Sequence, residues 1–215
     1  MWQYLTDQWD QIWFASWQHL SLVVQCTVLA AVIAIALGAL CHRSHALSEL
    51  ANGVSAVGLT IPSFALIAIL VIPFGFGVTS SVVTVTFFAI LPILRNTIVG
   101  LNGVDSSLIE AARGMGMNGT SRFFRVELPL AWPVLLAGIR VSAQMSMGVA
   151  AITAYALGPG LGGMIFTGLS RLGGANALNS VVIAVIAVVI LAQILDLVLV
   201  GLGSLTTSRG IRVSH

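Results

Sequence analysis

The chain has 215 residues, 58% of them hydrophobic and only 7% charged, with a formal net charge of +2. Soluble domains carry about 25% charged residues, so this is an integral membrane protein, and its small net charge gives no reason to expect nucleic acid binding. All nine basic residues are Arg; the absence of Lys excludes a nucleotide-binding P-loop and Schiff-base lysine chemistry.

The chain opens MWQYLTDQWDQIW, with no basic n-region and with Asp7 and Asp10, which argues against a cleavable signal peptide. Trp2, Leu5, Trp9, Ile12 and Trp13 recur at helical spacing, and four of the five tryptophans fall within the first seventeen residues. Residues 1–18 are therefore expected to form an amphipathic helix lying at the membrane interface, anchored by its indoles. An aromatic cage for a cation is the sharper alternative.

Residues 19–215 read as one all-α membrane domain. Five stretches are long and apolar enough to span, at about 20–40, 51–72, 80–99, 130–157 and 177–202. Cys26 and Cys41, in the first apolar stretch, have no metal-ligand partner at the usual spacing and read as small hydrophobes. Pro62 and Pro73 interrupt or bound the second stretch and Pro92 interrupts the third. Broken helices are tolerated where they line a cavity, although an ordinary packed kink is the other reading. Arg43, the trio Arg113, Arg122 and Arg125, and the tail residues Arg209 and Arg212 all fall on one side of a five-span chain. That side is expected to be the cytoplasm, with the N-terminus outside and the C-terminus inside.

Between the third and fourth stretches lies a polar loop, residues 102–129. Ser107 and Glu110 fit a capping box, and Gly116 permits the left-handed backbone that ends a helix. Asn118-Gly119 signals a turn, Thr120 or Ser121 caps a second short helix, and Pro129 stops it. Ile109, Met115, Phe123 and Phe124 stand beside arginines. Such grouping marks a docking surface, unless these side chains pack beneath the chain's own spans.

Two charges fall inside spans, Arg140 in the fourth and Asp196 in the fifth, at similar depth. An unpaired charge there is costly, so the two are expected to pair in the inner half, with snorkelling as the alternative. Arg95 lies nearer the end of its span and is expected to snorkel. Gly158, Gly160, Gly162 and Gly163 follow the fourth span and allow tight turns, either as an outer gate or as a plain surface loop. His19, His42, His45 and His215 are scattered at ends and loops and read as interface residues. The chain has no HExxH, no GxSxG and no carboxylate or His pair within a span, which leaves no basis for a membrane enzyme.

Glu110-Ala111-Ala112, then three residues, then Gly116, and after nine more Val126, Leu128 and Pro129, resembles the EAA loop of ABC importer permeases. Val126 stands where that family has Ile. The resemblance implies a type I ABC importer permease fold. It also implies that Glu110, Ala111, Ala112, Arg113, Gly114, Gly116, Met117, Phe123 and Phe124 couple to a cytoplasmic ATPase. Further stretches resemble osmoprotectant permeases: HLSLVVQC (19–26), TIPSFALIAILVIPFGFG (60–77), LPILRNTIVGL (91–101), SLIEAARGMGM (107–117) and ALGPGLGGMIFTGL (156–169). GPGLGG stands where the subfamily has something nearer GAGGLG.

This likeness implies import of glycine betaine, carnitine, choline or a similar quaternary amine. The implied partners are a second permease chain of the same or another kind, an ATPase dimer, an extracytoplasmic binding protein and the lipid bilayer, with no nucleic acid. The chain itself would hold no cofactor, ATP and Mg being bound by the ATPase, and would sit as a multi-pass protein in a bacterial cell membrane. Pro62, Ser63, Gly158, Gly160, Gly162 and Gly163 are the candidate path and gate residues. No substrate site is visible, since the spans hold only scattered aromatics such as Phe87, Phe88 and Phe166. The alternatives are a permease for another small solute such as methionine, or a passive channel or scaffold.

Overall fold

The computed structural model describes residues 1–207, so Arg209, Arg212 and His215 lie outside the described residues. The described residues contain no strand. Four helices are long and apolar enough to cross a membrane, α2 (Trp9–Cys41), α5 (Val78–Asn102), the stretch Gly119–Ala156 and α10 (Ala177–Thr206). The pair α3 (His45–Thr60) and α4 (Ser63–Phe74) makes up to five if it counts as one span bent by 96°. α1 (Trp2–Asp7) precedes these, α6 (Ser106–Gly114) and α7 (Gly119–Arg122) lie in the polar loop, and α9 (Gly162–Ser170) follows α8 (Leu128–Thr153).

Residues 9–18 are continuous with the first apolar stretch in one helix. The only break is at Gln8, and α2 then runs 33 residues without interruption. At 1.5 Å per residue that is about 50 Å, longer than the ~30 Å hydrocarbon core. The tryptophan pattern reported a helix but carried no signal of where it would stop.

The centre of the bundle is α5, packed between α2 and α8. Small residues set how closely these helices approach. A Cβ at Gly38 of α2 would lie 2.4 Å from Thr97 Cγ2 on α5. At Gly138 of α8 it would lie 2.6 Å from Asn96 Cβ, also on α5. Close backbone approach of this kind drives association where lipid removes the hydrophobic force between helices. Polar groups complete it: Ser142 Oγ donates to the Ala89 carbonyl at 2.8 Å, joining α8 to α5. Pro92 does not interrupt α5, which is continuous and buries this proline. Cys26 is free and buried in the apolar cluster between α2 and α5.

The second stretch is divided at Pro62. Proline drives the preceding residue into extended backbone, and Ile61 has φ −69° and ψ 124°. The helix therefore ends at Thr60 and restarts at Ser63 in a new direction. Of the twelve residues of α4 only Ile67 is buried.

α10 buries little of itself, and specific contacts hold it. Ser180 Oγ donates to the Met164 carbonyl of α9 at 2.9 Å. Trp132 Nε1 donates to Thr206 Oγ1 at 2.8 Å. Between these lies a fork of two charge-assisted bonds, Arg140 Nε to Asp196 Oδ1 at 2.8 Å and Nη2 to Oδ2 at 2.9 Å. Bidentate geometry of this kind is the strongest pairing a guanidinium makes. The two intramembrane charges thus join α8 to α10.

Candidate functional site

The polar loop begins with Asp105, not Ser107, as the cap of α6: its Oδ1 accepts from the Ser107 N–H at 2.8 Å. Asp is as good a cap as Ser, and capping by Asp105 places Ser106 and Ser107 inside the first turn. Bonds from the Ser107 N–H and hydroxyl hold the Asp105 carboxyl below the usual carboxylate range. The other end of α6 closes as a Schellman motif. The Met117 N–H donates to the Ala112 carbonyl at 3.1 Å, and Gly116 N–H to Arg113 at 2.9 Å. Gly116 sits at φ +78°, the left-handed conformation the motif needs. Ala112 is buried and Met117 half-buried, which fastens the inner face of the turn.

Asn118, rather than Thr120 or Ser121, caps the next helix, its Oδ1 accepting from Ser121 N–H at 2.8 Å. Pro129 does not stop this helix. The chain passes through α7, a π-turn over Phe123–Glu127 and α8 in one run. A proline ring clashes with the carbonyl four residues earlier and offers no N–H. Widening the turn just before Pro129, with Leu128 N–H reaching back to Phe123, lets the helix continue. From Gly119 onward the loop is therefore one continuous helix with the apolar stretch that ends at Ala156.

Sequence reasoning missed the anchor of this loop. Glu127 is 2% exposed. Its Oε1 accepts from Arg122 Nε at 2.6 Å and lies 3.7 Å from Arg43 Nη2, and its Oε2 lies 3.2 Å from His42 Nε2. His42 Nδ1 in turn faces the Ala39 carbonyl at 2.9 Å. One carboxylate thus ties α7 to the end of α2. The signal was present: Glu127 is the only acidic residue among the arginines of RFFRVEL.

The outward face of the loop remains open. Leu108 is exposed, Met115 is 70% exposed and Phe124 is 62% exposed; Glu110, Ala111, Arg113, Gly114 and Gly116 are exposed with them. Phe123 is half-buried, with its ring centroid 5.0 Å from that of Phe124 and 6.5 Å from that of His42. Phe123, Phe124 and Arg43 also line one end of a groove of about 880 Å³ between α2, α8 and α10.

At the opposite end of α8, three of the four candidate glycines are dictated by space. A Cβ at Gly158 would lie 2.3 Å from Ser81 Oγ, and one at Gly160, where φ is +111°, would lie 2.8 Å from His19 Nδ1. At Gly162 it would lie 2.0 Å from the Ala151 carbonyl oxygen. Gly163 has open space. His19 is not an interface residue but fully buried beneath this loop, its Nε2 3.1 Å from the Met147 carbonyl. α9, at nine residues, is only about 14 Å long and does not span. Gly162→Ala is expected to destabilise the protein by about 2 kcal/mol, because backbone must move, whereas Gly163→Ala should be nearly neutral. Thermal unfolding of the two variants in detergent measures the difference.

Pro62 and Ser63 stand at the α3–α4 break, far from the polar loop in the chain. The candidate residues thus fall into separate groups, the loop at one end of α8 and the glycines at the other, with Arg140 and Asp196 along the shaft between.

Comparison with known proteins places this geometry. Residues 16–204 match the model of the family described as binding-protein-dependent transport system inner membrane component. The chain is 36% identical over 203 residues to the carnitine transport permease protein OpuCB of Listeria monocytogenes, covering 92% of this chain and 88% of the relative. It is 35% identical over 214 residues to the osmoprotectant import permease protein OsmW of Salmonella typhimurium, covering 97% and 98%. It is 32% identical over 203 residues to the choline transport system permease protein OpuBB of Bacillus subtilis, covering 92% and 89%. Among solved structures, the inward-facing MetNI methionine ABC transporter superposes with a TM-score of 0.77 at 24% identity, over 93% of this chain and 99% of that one.

Proposed function

The chain belongs to the family of binding-protein-dependent transport system inner membrane components, and from that premise we propose that it is the permease subunit of an ATP-driven osmoprotectant importer. Its cargo is glycine betaine, carnitine, choline or a related quaternary amine. The observation that carries the coupling role is the polar loop: an exposed apolar and charged face on α6, joined by the turn at Gly116 to α7, which Glu127 ties to the end of α2 and which runs on into α8. Relatives that share about a third of its residues, and that are named for carnitine, choline and osmoprotectant transport, support the cargo.

The arginine distribution supports a cytoplasmic loop and an outer N-terminus, and the family's description as an inner membrane component supports a bacterial inner membrane. There Glu110, Ala111, Ala112, Arg113, Gly114, Gly116, Met117, Phe123 and Phe124 face or support a separate ATPase dimer, which binds ATP and Mg. The chain itself carries out no catalysis. Four or five spans do not enclose a path alone, so a second permease chain completes it, and an extracytoplasmic binding protein delivers cargo to the outer face. Closure of the ATPase dimer moves both coupling loops and shifts the permease between inward-open and outward-open states, as differential binding shifts any two-state equilibrium. Pro62, Ser63, Gly158, Gly160, Gly162 and Gly163 would line the outer part of the path or its gate.

Uptake of labelled glycine betaine, choline and methionine by vesicles holding the assembled importer tests the cargo. Quaternary amines should enter and methionine should not. Selective methionine uptake would overturn the osmoprotectant reading.

A further inference from the structure

Three aromatic rings from distant parts of the sequence meet near the outer end of α8: Phe64 in the first turn of α4, Tyr155 in the 3₁₀ turn Ala154–Ala156, and Phe166 in α9. The Phe64 and Tyr155 ring centroids lie 4.5 Å apart at an interplanar angle of 51°. Those of Tyr155 and Phe166 lie 5.9 Å apart at 58°. Rings gathered only to fill a core would be covered, but Tyr155 is 54% exposed and Phe64 45% exposed. Aromatic surface is therefore left exposed on the chain.

The backbone beneath them is fixed. The Pro62 break sets the start of α4, and the Gly77 N–H donates to the Ala156 carbonyl at 2.7 Å, which ties the Tyr155 turn to the start of α5. Leu157 follows at φ 62°. The rings thus come from three elements, α4, the turn after α8 and α9, whose relative placement decides whether they meet.

A trimethylammonium group is bulky, weakly hydrated and has no N–H to donate. The negative faces of aromatic rings attract it, most strongly when partly desolvated. Tyr155 lies against both other rings, at 51° and 58°, so the three form one aromatic cluster. We propose that Phe64, Tyr155 and Phe166 form a low-affinity station for the trimethylammonium group of the cargo on the translocation path. The proposal rests on the reading that the cargo is a quaternary amine. Its openness suits the task, because a site that enclosed the ion would hold it and slow release.

The test uses the complete importer in proteoliposomes, with glycine betaine and choline uptake measured beside ATP hydrolysis. Phe64→Leu and Tyr155→Leu should each lower uptake per ATP hydrolysed by about ten-fold, while ATP hydrolysis persists. Tyr155→Phe, which keeps the ring, should stay within about two-fold of the parent. Phe166→Leu provides the same readout if either of the other leucine variants fails to insert. Leucine variants that transport like the parent, or a Tyr155→Phe variant as impaired as Tyr155→Leu, would overturn the station. A parent that hydrolyses ATP but takes up neither amine would overturn the cargo reading itself, and that result appears before any variant is made.

Discussion

Glu127→Ala is expected to destabilise the folded protein by about 3 kcal/mol, the low end of the range for removing one partner of a buried ion pair. Glu127 is 2% exposed and Arg122 8% exposed, so the variant leaves a buried guanidinium with no other carboxylate paired to it among the described residues. The low end applies because Arg43, the second cation facing Glu127, has a side chain 53% exposed and remains hydrated on its own. The unpaired charge dominates the effect, not the loss of attraction. A double variant, Arg122→Met with Glu127→Met, removes both charges and should recover most of the loss. Thermal unfolding in detergent reads the series as a Tm drop of roughly 6 °C or more for the single variant. A single variant that melts with the parent would show that the cluster contributes no stability.

Gly116→Val is expected to leave insertion and ATP hydrolysis in place and to reduce ATP-driven uptake by at least about ten-fold. Gly116 holds φ +78° at the end of α6. A left-handed conformation costs an ordinary L-residue roughly 1–2 kcal/mol, and a β-branched one more. Nothing lies within 4 Å of a Cβ built there, so the effect comes from backbone and not from collision. The Schellman bonds from Gly116 and Met117 would open, and the exposed face from Leu108 to Met115 would lose its fixed angle to α7. Gly116→Ala separates the two causes, since it should lie between valine and the parent. Normal uptake in the valine variant would show that the angle is irrelevant to coupling.

The parts of this architecture that were legible in the sequence follow from strong local rules. Stretches of some twenty apolar residues must be helices in a bilayer, and two opposite charges at equal depth in neighbouring stretches have strong reason to meet, as Arg140 and Asp196 do. Gly116 was legible because few other residues tolerate its backbone. What escaped was set by packing between distant segments. Ser107 and Asp105 are both good caps, and only the position of the helix decides which serves. Pro129 stops an isolated helix but not one that can widen into a π-turn ahead of it. Glu127 looks solvated among arginines until Arg122 and His42 are seen to close over it. Scattered phenylalanines gave no hint that Phe64, Tyr155 and Phe166 would converge, because a helix break and a glycine-rich turn bring them together. His19 reads as a span-end residue until Gly160 is placed on top of it.

If the loop over residues 102–129 carries work from a separate ATPase to the spans, transport depends on that ATPase. Uptake of labelled glycine betaine into proteoliposomes, with the ATPase subunit present or omitted and with ATP supplied or withheld, tests it most directly. Uptake should require both the ATPase and ATP. Uptake that continues without either would contradict the claim and make the chain a passive pathway.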